Sequence, residues 1–299
     1  MGRVQVETGK RLRVAIIGSG NIGTDLLYKV RQSKHLKCTL MVGRRIDSPG
    51  LERARKMGIQ TSPDGLEGLK ANIANIDLVF DATSASEHIL IADALQNKKV
   101  ALINLTPAPL GRFFIPFVTN DPEIIQENAH LNMVTCGGQT SIPLLHILAS
   151  ALSIKSVEIV STIASNSAGL ATRENLDEYI ANTERAIGEE TDIEDVKVML
   201  VINPAIPEIV MHTSIYVSGS DLVEKKAHDL VNERINEMNE KGPNIKLIAS
   251  PSFINENTIH FAVEVSGSGD HLPTYSGNLD IINVAAIQAA ETISQTMAR

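Results

Sequence analysis

The chain has 299 residues, 27 Lys+Arg against 35 Asp+Glu for a net charge of −8, 43% hydrophobic residues, two cysteines, no tryptophan, six Phe and four Tyr. Single cores stop growing near roughly 250 to 300 residues, so two domains are expected, each able to bury a core. Cysteines only at 38 and 136 exclude a disulfide framework and a four-cysteine zinc site, the acidic balance and scarce aromatics exclude broad nucleic-acid or anionic-membrane binding, and no run approaches the roughly 20 apolar residues of a membrane span.

The polar stretch 1–10 carries no apolar signal segment, so a reducing, cytoplasmic setting is expected. The charge is uneven: residues 1–60 carry +9 and residues 61–299 carry −17. Local basicity in an acidic chain suits a small anionic ligand, although a solvated basic surface has the same composition. From residue 12 short β-branched runs alternate with amphipathic stretches: LRVAIIG, a helix near 22–34, CTLMVG at 38–43, helical patches through 74, DLVFDAT, a helix near 85–97 and KKVALIN at 98–104. Such alternation predicts a parallel sheet covered by helices on both faces. Ser84 and Glu87 have the spacing of a capping box. After the proline-rich TPAPLG at 106–111 come the strand LNMVTC and a helix expected to open at Pro143, a favoured first-turn residue. Beyond about residue 152 the pattern changes: SVEIVSTIAS, VMHTSIYVS, NIKLIAS and TIHFAVEVS read as half-exposed strands, with helices near 173–187 and 220–240 and an alanine-rich helix from Asp280 to Met297. The expected fold is α/β, an N-terminal Rossmann-type parallel-sheet domain (1–135) followed by an α+β domain on a mainly antiparallel sheet (136–279), with 280–299 packing back on the first domain.

Gly18-Ser19-Gly20-Asn21-Ile22-Gly23 follows the apolar strand VAIIG and precedes a helix. Gly18 permits the tight turn, Gly20 lets a pyrophosphate approach the backbone, and Gly23 lets helix pack on strand, while the helix N-terminus supplies amide donors. That context points to a dinucleotide. The second strand ends at Gly43-Arg44-Arg45, with Asp47 two residues on, so either a ribose 2′-phosphate site or a solvated basic loop fits there.

Cys136 lies in TCGGQTSIP, after a strand and ahead of a helix. A helix N-terminus favours the thiolate, and Gly137 and Gly138 expose amides for an oxyanion. Beside a nicotinamide, such a thiolate can add to an aldehyde, yield a hydride and become a thioester. The bland alternative is an inert cysteine at a strand end. Cys38 reads as a small buried hydrophobe and His146 as a packing group, while His212 and His271 stay open; none has metal-ligand spacing.

Several ordered motifs together, GSGNIGTDL at 18–26, DATSA at 81–85, INLTPA at 103–108, VTCGGQTSIP at 134–143, NSAGLATRENLDEY at 166–179, INPAIP at 202–207 and LPTYSGNLDI at 272–281, resemble the acylating acetaldehyde dehydrogenases over nearly the whole chain. That family turns an aldehyde, coenzyme A and NAD into acyl-CoA and NADH. The resemblance implies that Cys136 is the acyl-thioester nucleophile, that Asn175 orients the substrate oxygen, and that the Gly18–Thr24 loop (Gly18, Ser19, Gly20, Asn21, Ile22, Gly23, Thr24) binds NAD. It places Ser167, Ala168, Gly169, Thr172 and Arg173 beside nucleotide and substrate, and Asn278 near the nicotinamide. It further implies no metal, a homodimer, a complex with 4-hydroxy-2-oxovalerate aldolase and a place in aromatic hydrocarbon catabolism.

Two positions depart from the family pattern: Leu170-Ala171 replaces Pro-Gly, and Met211-His212-Thr213 replaces Met-Arg-Asp, removing a carboxylate. Thr213 can hydrogen-bond but is no base at neutral pH, and His212 faces the other side of its strand. A semialdehyde or acyl-phosphate dehydrogenase, or a non-catalytic NAD-binding subunit, are the competing readings.

Overall fold

The structure is a computed structural model that describes residues 11–119, 124–126 and 128–297; the polar opening stretch 1–10 lies outside it. Seven parallel strands, β1 (Leu12–Ile17), β2 (Leu36–Val42), β3 (Gln60–Ser62), β4 (Leu78–Asp81), β5 (Ala101–Asn104), β6 (Arg112–Phe113) and β7 (His130–Asn132), form one sheet in the order β3-β2-β1-β4-β5-β7-β6. Alternate residues of a strand face opposite sides. Ala15 and Ile17 therefore join Val79 and Leu102 under Leu69 and Ile91, of helices α3 (Gly65–Asn72) and α4 (Ala85–Leu95). Val14 and Ile16 join Phe80 and Ile103 under Leu26 and Val30 of α1 (Asn21–Gln32). Short α2 (Pro49–Lys56) completes the crossover from β2 to β3. The strand order reverses between β1 and β4, so their carboxyl ends open the crevice in which ligands of such sheets sit.

The second sheet has the order β11-β12-β10-β8-β9, from β8 (Ser153–Ala164), β9 (Asp195–Asn203), β10 (Met211–Ser220), β11 (Asn244–Asn255) and β12 (Thr258–Ser266). All its pairings are antiparallel except β8 with β9, which a helical crossover through α6 (Leu170–Glu174) and α7 (Leu176–Thr191) joins in parallel. One face, with Met211, Thr213, Ile215 and Val217 of β10 buried, packs on α5 (Cys136–Ala149), α7 and α8 (Glu224–Lys241); His212 and Tyr216 lie on the other. The chain is thus α/β, a Rossmann-type parallel sheet followed by an α+β unit on a mainly antiparallel sheet. No described helix is long and apolar enough to cross a membrane.

Three boundaries differ from the sequence reading. Helix α5 starts at Cys136 rather than Pro143, because Thr135 caps it, Oγ1 accepting the Gly138 amide at 3.0 Å. Pro143 forgoes one backbone bond inside the helix, and the unbroken burial of residues 131–145 offsets that loss. Strand β9 went unread because an edge strand, half-exposed on both sides, lacks clean alternation. The last helix, α9 (Gly277–Met297), starts three residues ahead of Asp280.

Helix α9 is fastened to α1 by a buried ion cluster. Lys29 Nζ lies 2.6 Å from Asp280 Oδ1, 3.1 Å from Asp25 Oδ2 and 3.2 Å from Asp270 Oδ2, and Asn283 donates to Asp25 at 2.7 Å. Burial alone would push this ammonium's pKa down; the bonds and charges of Asp280 and Asp25 more than offset it and leave the pKa raised. Removing one partner of a buried ion group strands the other charges. Lys29→Met is therefore expected to lower the unfolding free energy by about 3–5 kcal/mol in urea titrations; a loss below about 1 kcal/mol would mean the cluster does not hold the helices together.

Candidate active site

The loop after β1 is shaped by steric necessity. Gly18 has φ +111°, and a Cβ there would stand 2.3 Å from the Ala82 carbonyl oxygen; at Gly23 it would overlap the Gly18 carbonyl. Gly20 differs: a Cβ would meet nothing within 4 Å, so its bareness serves no contact within the chain. Gly20 and Asn21 are exposed at the N-terminus of α1, Ser19 and Ile22 are half-buried beside them, and buried Thr24 bonds back through its amide to the Gly20 carbonyl at 2.9 Å. Arg45 forms a fork on Asp47, 3.0 and 2.7 Å, and Arg44 lies 3.9 Å from Glu87, all at the surface. Lys29, one of the thirteen Lys and Arg residues of 1–60, is committed to the carboxylates of Asp25 on α1 and Asp280 on α9.

Cys136 is the first residue of α5 and is 7% exposed. Its Sγ lies 3.4 Å from the Tyr179 hydroxyl, which accepts the Gly137 amide at 3.0 Å. Two expectations from sequence change here. Burial pushes the thiol pKa up, outweighing the hydrogen bond of Tyr179 and those of the Gly137 and Cys136 amides, which favour the thiolate. The flanking glycine amides are also not open to an oxyanion, since Gly137 donates to Tyr179 and Gly138 to the Thr135 cap.

Cys136 shares one cavity with Ile22 of the glycine loop, Thr83 after β4, Thr172, Asn175, Tyr179 and Asn278. Of the sequence-predicted set, the structure therefore gathers Cys136, Ile22, Thr172, Asn175 and Asn278. Asn278, at the start of α9, donates to the Ser167 carbonyl at 3.1 Å, while its buried Oδ1 has no hydrogen-bond partner among the described residues. Ser167 and Ala168 are buried, Gly169 is exposed, and Arg173 turns back to brace this turn, reaching the Ala168 and Ser165 carbonyls at 3.2 and 2.8 Å. Thr213 is fully buried, 3.0 Å from Ser161 Oγ. His146 bonds the Glu190 carbonyl at 2.8 Å, and His271 stacks on Tyr28. Cys38 is half-buried, its thiol pushed up to about 12 by burial.

Tyr179 and Thr83 escaped the sequence reading. The signal for Tyr179 was present: Tyr179, Asn182, Thr183, Ala186 and Ile187 form one inward stripe of α7 at helical spacing, unusually polar for a core face. Among the described residues, Cys136 and Tyr179 are the titratable groups lining the cavity, and no group of three His, Cys, Asp or Glu could hold a metal ion.

A dinucleotide-type loop and a buried cysteine that share one cavity at the crevice suit the architecture of an α/β dehydrogenase. Aspartate semialdehyde dehydrogenase II from Vibrio cholerae shares this fold, with a TM-score of 0.62 at 12% identity over 96% of this chain and 98% of that one. Residues 136–273 match the family described as prokaryotic acetaldehyde dehydrogenase, dimerisation. The acetaldehyde dehydrogenase of Spirochaeta aurantia is 45% identical over 97% of both chains, that of Pectobacterium atrosepticum 43% over 95% of this chain and 96% of its own, and that of Bacillus thuringiensis 38% over 94% and 93%. The chain belongs to the acetaldehyde dehydrogenase family and is an oxidoreductase of the aldehyde-dehydrogenase type.

Proposed function

We propose that this enzyme oxidises acetaldehyde, or another short aldehyde, to an acyl-coenzyme A with NAD as oxidant, through a thiohemiacetal and then a thioester on Cys136. The observation that carries the reading is the single cavity holding Cys136, Ile22 of the glycine loop and Asn278. Two features of the chain suit NAD. The space over Gly20, at a helix N-terminus, suits a pyrophosphate, and the orphaned Asn278 Oδ1 suits the carboxamide of a nicotinamide. NAD, when bound, supplies the hydride acceptor.

The chain's own residues do the rest. The Cys136 thiolate adds to the carbonyl carbon, and the oxygen that gains charge is met by the Cys136 amide and the Asn175 side chain. Loss of hydride from that carbon leaves a thioester. Coenzyme A then attacks the thioester, its thiol proton passes to water, and Cys136 leaves as thiolate. Arg45, engaged by Asp47, favours an unphosphorylated ribose. Two copies pair through the second domain, a reading supported by the family match over 136–273 and by exposed Ile248, Phe253 and Ile254 on β11 and Val201 on β9.

Gly20→Ala is expected to leave the melting temperature unchanged and weaken NAD binding at least tenfold by calorimetry, whereas Gly18→Ala prevents stable folding. Cys136→Ala should abolish NADH formation from acetaldehyde and coenzyme A while retaining NAD binding; persistent turnover, or turnover with phosphate in place of coenzyme A, would overturn the acyl-transfer reading. Catalytic efficiency should favour NAD over NADP, and equal use of both would remove the role given to the Arg45–Asp47 pair.

A further inference from the structure

The buried thiol poses a chemical problem. No carboxylate, imidazole or ammonium among the described residues lines the cavity with Cys136, and Thr213, behind Gly137, offers only a hydroxyl engaged with Ser161. A thiolate formed there in a desolvated setting needs hydrogen-bond donors; the Gly137 and Cys136 amides favour it, but Gly137 is shared with Tyr179 and Gly138 is given to the Thr135 cap. The Tyr179 phenol is the side-chain group within reach of the sulfur.

Its direction is fixed by its surroundings. Tyr179 Oη accepts the Gly137 amide at 3.0 Å, and its own proton is free to point to Cys136 Sγ, 3.4 Å away. Once the sulfur has lost its proton, only the phenol can donate in that contact. Burial holds the phenol protonated, its pKa well above the usual value, so it remains a donor throughout the neutral range. The ring is held from behind as well. Thr135 Oγ1 takes the Gly138 amide and lies 2.7 Å from Thr183 Oγ1, which donates to the Tyr179 carbonyl at 2.7 Å. The residue that caps α5 thus also anchors the turn of α7 that carries the phenol. A Cβ on Gly137 would stand 2.5 Å from Oη, so that glycine is needed for the phenol to reach the amide and the sulfur together.

We propose that Tyr179 is a catalytic residue whose phenol, oriented by the Gly137 amide, donates a hydrogen bond to the Cys136 sulfur and sustains the thiolate in a cavity without a general base. The thiol proton passes to water before the aldehyde enters, and the phenol keeps its own proton throughout. The same bond stabilises the sulfur again when it leaves the thioester. The inference rests on Cys136 being the nucleophile.

The test is the pH dependence of alkylation of Cys136 by iodoacetamide in the full-length enzyme, followed by mass spectrometry of the Cys136 peptide, with Cys38 as internal control. A hydrogen bond to a charged group changes an equilibrium about ten- to a hundredfold, so Tyr179→Phe should raise the midpoint by about 1–2 pH units and slow alkylation at neutral pH accordingly. NAD binding should stay as in the wild type, and the melting temperature should fall by only a few degrees, the cost of a buried Gly137 amide that loses its acceptor. An unmoved midpoint, or a slowing uniform across pH, overturns the proposal. Replacing Tyr179 with 3-fluorotyrosine preserves the fold and makes the phenol a stronger acid, so the midpoint should fall; if Tyr179→Phe does not fold, a midpoint unmoved or raised in the fluorinated enzyme overturns the proposal alone. Alkylation needs neither aldehyde nor coenzyme A, so wild-type turnover that survives complete modification of Cys136 refutes the nucleophile, separately from any result on Tyr179.

Discussion

One buried ammonium determines how the two halves of this molecule meet. Lys29 gathers Asp25 from its own helix, Asp270 from the loop before α9 and Asp280 from the first turn of α9. An ion in such a place is stable only while all its partners are present, so the cluster has one acceptable geometry. That geometry sets Asn278, two residues before Asp280, against the turn at Ser167 and into the cavity of Cys136. Helix α1, whose other end carries the glycine loop, is fixed by the same contact. The ion cluster thus ties both the helix of the glycine loop and the helix of Asn278 without touching Cys136, and the core between them fixes the same contact.

The site itself is a balance between concealment and reactivity. Residues 131–145 are buried without a break, which places the first turn of α5 firmly but removes the water that would solvate a thiolate. A free helix N-terminus would compensate, yet its amides are taken by Tyr179 and Thr135. The Gly137 amide favours the thiolate itself and is shared with the Tyr179 hydroxyl beside it. Ser161 and Thr213 close the space behind it with hydroxyls bonded to each other.

Much of this was legible from residue order. The glycine spacing after an apolar strand located the loop, since Gly18 and Gly23 are steric requirements of the backbone, and alternation in β8, β10 and β12 marked the second sheet. The readings that failed had physical causes. Pro143 looks like a helix start because local preference is all a sequence displays, whereas Thr135 and the packing around it decide the true start. Strand β9 lies at an edge and carries no alternating pattern. Lys29, which composition counts with the basic residues near the N-terminus, is engaged by a carboxylate some 240 residues away in sequence. The polar stripe of α7 marks Tyr179 as facing inward, but its contact with Cys136 spans 43 positions and is not encoded in that spacing.

The neutral lining of the cavity has one more consequence. Hydroxyls, amides and aliphatic groups line the cavity with Cys136, and Arg173, the nearest cation in sequence to the cavity residues Thr172 and Asn175, is turned back to brace its own turn. An aldehyde bearing a carboxylate would shed its hydration and find no counter-ion among these residues, a loss of several kcal/mol. A small uncharged aldehyde suffers no such loss. The architecture is that of an aspartate semialdehyde dehydrogenase, and among the described residues the lining of this cavity holds no charged side chain.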